Sequence, residues 1–179
     1  WLISLVENLL SVTRLEDGTM SLNMQIELVE EVIEEALKHV NRKCAEHQLS
    51  YLHSEEILLA KMDSRLIVQV IINLVNNAIE YTQQGSEILI RSEKKGKWIE
   101  ISVADNGKGI SEEAKKKIFE MFYTEKNNMA DSRRGMGLGL FLCELIVESH
   151  GGKIKVENNE PKGTKFTFTL PAEEVEINE

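Results

Sequence analysis

Cysteine is scarce in this chain. Two occur in 179 residues, Cys44 and Cys143, far apart and in no zinc-type spacing. A reducing cytosol is the simple reading of so few thiols. Long apolar runs are missing too: none approaches the ~18 residues of a membrane span. Nor does the chain open like a signal peptide; it starts directly on WLISLVENLL, as if cut from something longer. Positive charge is outweighed, with 21 Lys and Arg against 30 Asp and Glu, a net charge of −9 and a pI near 5.1. That excludes broad binding to nucleic acid or anionic membranes. An anion could be held only at a local site, and a phosphate ligand would need a cation.

The familiar phosphate and catalytic templates are absent as well. There is no G-x-x-x-x-G-K-[ST], so this is no P-loop. G-x-G-x-x-G fails twice, because Leu140 stands where a third glycine should follow Gly135 and Gly137, and Glu112 where one should follow Gly107 and Gly109. H-R-D, G-x-S-x-G and H-E-x-x-H do not occur. There is no internal repeat and no low-complexity tract.

What is present is a packed globule. Apolar residues make up 42%, and the length suits one domain or a domain with an appendage. Leu2, Leu5, Leu9 and Val12, extended by Leu15, form an apolar seam on a helix over 1–16, stopped by Gly18. A short strand is expected at 21–27 and an amphipathic helix at 28–46, with Val29, Val32, Ile33, Ala36, Leu37 and Val40 on one side. Strands at 49–53 and 57–62 precede a helix from Ser64 to Tyr81. GSEILIRSE and GKWIEISVAD read as a hairpin turning at Lys95-Gly96, and GGKIKVEN and GTKFTFTL as two more strands. A helix at 111–119 is capped by Ser111, and a final one runs from Gly137 to His150. Between them, 124–136 is polar and aperiodic, a loop long enough to imply function. The pattern predicts an α+β, two-layer sandwich: a mixed, mostly antiparallel sheet with three helices on one face.

Three clusters carry candidate chemistry. NLVNNAIEYT spends Asn73, Asn76 and Asn77 inside a helix, although asparagine is a poor helix former. On a helical wheel Asn77 and Glu80 fall close to Asn73, one on either side of it, and Asn76 stands further round on the side of Glu80. Val70, Ile71, Leu74, Val75 and Ala78 fill a separate apolar sector. Carboxamides stacked one turn apart can offer oxygen to a hard cation and N–H to phosphate, or simply form a solvated polar edge; Asn76 reads as surface. DNGKGI, 105–110, puts Asp105 at a strand end before Gly107 and Gly109. That is either a plain turn or a close-approach site whose carboxylate accepts from an exocyclic amine such as adenine's. GMGLGL, 135–140, sets Gly135, Gly137 and Gly139 at a helix start. One packing glycine would be ordinary, whereas three suit phosphate on free backbone N–H groups.

In this order and spacing the clusters resemble the ATP-binding domain of sensor histidine kinases, within the group that includes gyrase B, Hsp90 and MutL. NLVNNAIEYT is similar to the N box, DNGKGI to the G1 box, IFEMFYTE to the F box, GMGLGL to the G2 box and GTKFTFTL to the closing strand. The resemblance covers about 20 to 170 and implies a Bergerat-type ATP-binding fold with ATP and Mg²⁺ as ligands. It gives Asn77 to the metal, with Asn73 beside the same phosphates. Asp105 reads the adenine amine, Gly109, Ile110 and Tyr81 shape the base pocket with Gly107 in the same turn, and Thr164 assists. Gly135, Gly137, Leu138, Gly139 and Leu140 form the lid end and phosphate turn. Phe119 and Phe122 match the F box, Phe119 serving equally well as core. Lys126, Arg133 and Arg134 lie in the lid. A cation from Lys126 and from either Arg133 or Arg134 could meet the triphosphate there, or all three simply form a solvated basic loop. Two departures stand out. Many such kinases carry Lys or Arg where this chain has Glu80. Hydrolytic relatives carry a water-activating Glu where this chain has Asn73, a poor general base that favours transfer over hydrolysis.

The resemblance further implies a phosphoacceptor histidine on a dimerisation hairpin, and His39, His47, His53 and His150 do not match that context. Residues 1–18 look like the end of the second hairpin helix, 19–172 the catalytic domain and 173–179 an acidic tail. The expected partners are the protein's own dimerisation domain, in a homodimer, and a response regulator. The parent is expected to be anchored in the bacterial inner membrane with this part cytoplasmic. ENLLSVTRLEDG, with the G2 and closing sequences, is most similar to potassium-responsive sensor kinases of the Kdp system. Alternatives are a nucleotide-binding regulatory module without kinase activity and an anti-sigma-type serine kinase.

Overall fold

The strongest period-two runs pair with one another, as alternating apolar faces require. The computed structural model describes residues 2–40, 45–124 and 137–174. Strands β4 (Glu87–Lys95) and β5 (Trp98–Asp105) form the expected hairpin, with Gly96 in its turn at φ 61°. β5 also pairs with β7 (Thr164–Glu173), setting Ile90, Val103 and Phe166 in one row across the sheet. β6 (Ile154–Asn158) lies along the first part of β7, and β3 (Leu59–Met62) along its end. β1 (Gln25–Leu28) pairs with β3, and β2 (Gln48–Leu52) joins β4 in the one parallel pairing. The order is β1-β3-β7-β5-β4-β2, with β6 beside β7: a mixed, mostly antiparallel sheet.

Helices α2 (Val29–Lys38), α3 (Ser64–Glu80) and α5 (Gly139–Ser149) cover one face, and the short α4 (Glu112–Lys117) is capped by Ser111 Oγ, which accepts from Ala114 N at 3.1 Å. α3 is the central one, packed on β4 and β5 and flanked by the other two. Its predicted apolar sector, Val70, Ile71, Leu74, Val75 and Ala78, is buried against Ile88, Ile90, Ile99, Ile101 and Phe168 in a single core. α2 is shorter than its predicted 28–46, because its apolar stripe runs out at Val40. α5 starts two residues late, since Gly137 sits at φ 70°, outside helical space. β1 is limited to the four residues that β3 can pair.

α1 (Leu2–Glu16) packs on α5. Of the predicted seam, Val12 is buried and Leu15 partly so, whereas Leu9 is 47% exposed. Gly18, at φ 63°, ends the helix with its N–H on Leu15 O at 3.2 Å. Among the described residues no helix is long and apolar enough to cross a membrane.

Candidate nucleotide site

Period two fixes where Asp105 points. It follows Ile99, Ile101 and Val103 on the helix-facing side of β5, at the strand's end, so a carboxylate is delivered to the rim of the core. It is 8% exposed there. Burial raises its carboxyl above the usual carboxylate range, opposed by the N–H groups of Gly107 (2.9 Å) and Thr164 (3.3 Å). Both bonds fall on Oδ1. Oδ2 carries no hydrogen bond among the described residues. Thr164 stands on the same face at the start of β7, in register with Phe166 and Phe168.

The turn after Asp105 is held from two sides. Asn106 bonds the start of β4 through Glu87 N to its Oδ1 at 2.9 Å, and Asn159 Nδ2 donates to Asp105 O at 2.9 Å. Gly163, at φ 114°, lies so close to Asp105 O that no side chain fits. A β-carbon at Gly107 would lie 2.8 Å from the Thr82 methyl. Thr82 is itself oriented: its hydroxyl donates to Ala78 O at 2.7 Å, so His47 Nε2, 2.9 Å away, must be the donor in their contact.

Asp105 and Thr164 open on a cavity of about 270 Å³ whose far lining comes from α3 and the start of α5. Asn73, Asn77, Tyr81, Asp105, Gly109, Ile110, Gly137, Leu138, Gly139, Leu140 and Thr164 all line it. Of the predicted site residues that are described, only Gly107 does not; it braces Asp105 from behind. Lys126, Arg133 and Gly135, like Arg134, lie outside the described residues. Sequence reasoning missed Asn8 of α1, Lys108, Ala114, Ile118, Tyr123, Thr124 and Phe166, and it read Asn76 as surface. Asn76 lines the cavity, because its place on the wheel, beyond Glu80, still falls in the arc of α3 that faces it. Glu80 lines it too. Asn8 was missed because its contact, Gln69 Nε2 to Asn8 Oδ1 at 3.2 Å, bridges 61 positions of sequence.

Asn73 is distinctive. Its Nδ2 is buried beside the Cys143 sulfur and makes no hydrogen bond of good geometry among the described residues. The neighbouring Cys143 thiol is pushed up to about 12 by burial, with Asn73 opposing the shift, so it is inert. A β-carbon on Gly139 would meet Asn73 Cγ only at 4.0 Å, an ordinary contact, so protein packing does not demand this glycine. Gly137 is different: a β-carbon there would lie 2.5 Å from Tyr123 O. The Phe122 N–H donates to Gly137 O at 3.1 Å, tying the F-box segment to the helix start. Phe119 packs edge-on to Phe166 at 6.1 Å, while Phe122 is 55% exposed at φ 63°.

The histidines have other partners. His39 meets Glu35, His53 meets Glu30, and buried His150 donates from Nδ1 to Ile146 O and accepts the Asp63 N–H at Nε2. None lines the cavity.

A helix-covered mixed sheet, with a buried strand-end carboxylate facing asparagines across a cavity, defines a nucleotide-binding α+β domain. The chain belongs to the family of histidine kinase-, DNA gyrase B- and HSP90-like ATPases, whose model matches residues 62–174. Within it the chain groups with histidine kinase catalytic domains. It is 42% identical over 173 residues to the sensor protein KdpD of Clostridium acetobutylicum, covering 97% of this chain and 19% of that protein. It is similar to the catalytic domain of histidine kinase ThkA, at 37% identity and a TM-score of 0.73, covering 83% of this chain and 95% of that one. ThkA solved with the response regulator TrrA superposes with a TM-score of 0.74 at 32% identity, covering 96% of this chain and 49% of that one. The chain thus spans about a fifth of the curated KdpD relative.

Proposed function

We propose that this chain binds Mg²⁺–ATP and passes the γ-phosphoryl to a histidine on a dimerisation helix outside it, as the catalytic part of a two-component sensor kinase. The observation that carries the reading is that one cavity gathers Asp105 and Thr164 with Asn73, Asn77 and Gly139. Asp105 would accept the adenine amine at Oδ2, while its Oδ1 stays held by backbone N–H groups. Gly109, Ile110 and Tyr81 would wall the base. The buried Nδ2 of Asn73 is a donor that a phosphate oxygen would satisfy, and the space beside Gly139 admits one. The carboxamide oxygen of Asn77 suits a hard cation, and Mg²⁺ held there would supply neutralisation of phosphate charge. With a carboxamide at Asn73 and no carboxylate, water bound there lacks a base. Gly135, Leu138 and Leu140 complete the phosphate turn in this reading, and Lys126 and Arg133 supply cations. The acceptor lies elsewhere because the four histidines are otherwise engaged. The homodimeric parent, its membrane anchor and a downstream response regulator belong to the same proposal, the last supported by the ThkA–TrrA likeness.

Titration of ATP into wild type and Asn77→Ala, with and without Mg²⁺, tests the site. Wild type should bind with a strong Mg²⁺ requirement, and N77A should lose most of the metal-dependent part, roughly 10–100-fold in affinity. Metal-independent or mutation-insensitive binding sinks the assignment. With γ-labelled ATP, label should appear on a separately supplied histidine hairpin and not on this chain alone. Acid-labile, base-stable label on the chain by itself refutes the external acceptor.

A further inference from the structure

The cavity wall carries a charge that the nucleotide reading leaves unused. Among its described lining residues the charged groups are Glu80, Asp105 and Lys108, one negative charge in excess. A phosphate oxygen that comes beside Glu80 without a cation between them meets local repulsion from its carboxylate. Asp105 is committed to the base side, its Oδ1 held by Gly107 and Thr164. Glu80 is not on that side. It lines the cavity with Asn76 and Asn77 from the last turn of α3.

Helix geometry decides what Glu80 can reach. It follows Asn77 by three residues and Asn76 by four, which makes it the next-turn neighbour of both. Side chains lean toward a helix N-terminus, so Glu80 leans back over the turn that carries the two asparagines. Its side chain is one methylene longer than theirs. A carboxylate oxygen of Glu80 and the carboxamide oxygen of Asn77 can therefore converge on one ion. The donor set also favours this. Mg²⁺ in nucleotide sites is usually held by one or two carboxylates together with phosphate oxygens, and the asparagines supply none.

We infer that Glu80 is a ligand to the divalent cation brought by the nucleotide, and that it makes this site selective for the metal–nucleotide complex over free nucleotide. The inference rests on the proposed nucleotide site and names its selectivity. It requires a carboxylate at the cavity wall, whatever else that carboxylate touches. A neutral or cationic residue at position 80 would lose the discrimination in different ways. Glutamine keeps shape and length but holds the cation less well. Lysine reverses the charge and meets the phosphates directly.

The test is calorimetric titration of ATP into the full chain as wild type, Glu80→Gln and Glu80→Lys, each with excess Mg²⁺ and again in EDTA. Circular dichroism confirms that the variants fold. The quantity read is the ratio of the two dissociation constants. Wild type should favour the Mg²⁺ condition by about 100-fold or more, and E80Q should cut that ratio by roughly tenfold through weaker Mg²⁺–ATP binding. E80K should bring the two constants within several-fold of each other, mainly through tighter binding in EDTA. Replacing Mg²⁺ with Mn²⁺ and recording the EPR spectrum of the bound ion should show a changed ligand environment in E80Q. If both variants keep the wild-type ratio, Glu80 does not touch the metal. If E80Q tightens binding equally in both conditions, Glu80 only repels phosphate, and the inference is likewise overturned. If wild type binds no nucleotide in either condition, the nucleotide reading itself fails, an outcome separate from the other two.

Discussion

The ionised form of Asp105 is a cost to the fold. Its carboxyl is raised by burial in the folded state, so the folded chain holds a proton more tightly than the unfolded one does. Stability therefore falls as pH climbs from the ordinary carboxylate range through the folded pKa. Asp105→Asn removes the charge and can keep the acceptor for Gly107 and Thr164, while presenting N–H₂ to the cavity. In the absence of nucleotide, the variant should melt about 2–4 °C higher at pH 7. That advantage should vanish at a pH below the carboxylate range. ATP affinity should drop by about 2–3 kcal/mol, because two donors would then face each other. Thermal melts across pH, with ATP titration at pH 7, check both halves. A destabilised variant at neutral pH would contradict the burial argument. At this same scale the sequence was most informative about residues that act locally. Asp105, Asn73 and Asn77 were legible because one strand end and one helix face fix them. Of the three glycines read together, Gly135 lies outside the described residues and the other two differ from each other. Gly137 answers to the backbone of Phe122 and Tyr123, which no local pattern shows, whereas no packing among the described residues asks for Gly139.

Among the longer elements, α1 exposes much of its apolar surface. It packs on α5, and among its described side chains Val12 is buried, Leu15 is partly buried and Asn8 accepts from Gln69 of α3 at the cavity. Ile3, Val6, Leu9 and Leu10 remain between 47% and 74% exposed. Val12→Asp buries an unpaired charge if α1 stays docked, so the helix should leave instead. Hydrogen exchange should then show protection lost over α1, with β4, β5 and β7 unchanged and the core transition moved by less than about 1 kcal/mol. Loss of protection throughout would mean that α1 is integral to the domain. The helix α1 was legible from its period, but the exposure of Leu9 beside the buried Val12 was not, since that depends on how far the surface of α5 reaches. Helix ends misread in α2 and α5 have the same origin: an apolar stripe too short to bury in one case, a left-handed glycine in the other.

For the molecule as a whole, the layer architecture followed from element types, but the strand order did not. Strands of similar alternation can be permuted within a sheet without changing their inward faces, and only long-range pairing chooses among the orders. The parallel seating of β2 beside β4 joins stretches more than thirty residues apart. The convergence of Asn8, Lys108 and Phe166 on the cavity follows from that global arrangement, which is why these residues had no signature of their own. The acidic balance, by contrast, was readable at once, and it bears on the site: a chain of net charge −9 repels a free triphosphate before contact, which adds to the advantage of the metal complex.

β7 has a consequence for how the protein comes apart. It is flanked along one side by β5 from Lys165 to Pro171 and along the other first by β6 and then by β3. No seam in the sheet lets it divide into two surviving halves, because the strand that would lie at the break belongs to both. Opening the Thr164 end of the cavity by strand separation thus requires nearly the whole cooperative free energy of the domain. Ligand entry has to use side-chain and segment rearrangements around the rim. Native-state exchange should place the amides of β7 from Phe166 to Leu170 in the slowest class, vanishing in the same denaturant transition as those of β5. Earlier release of β7 would show that the sheet yields in parts.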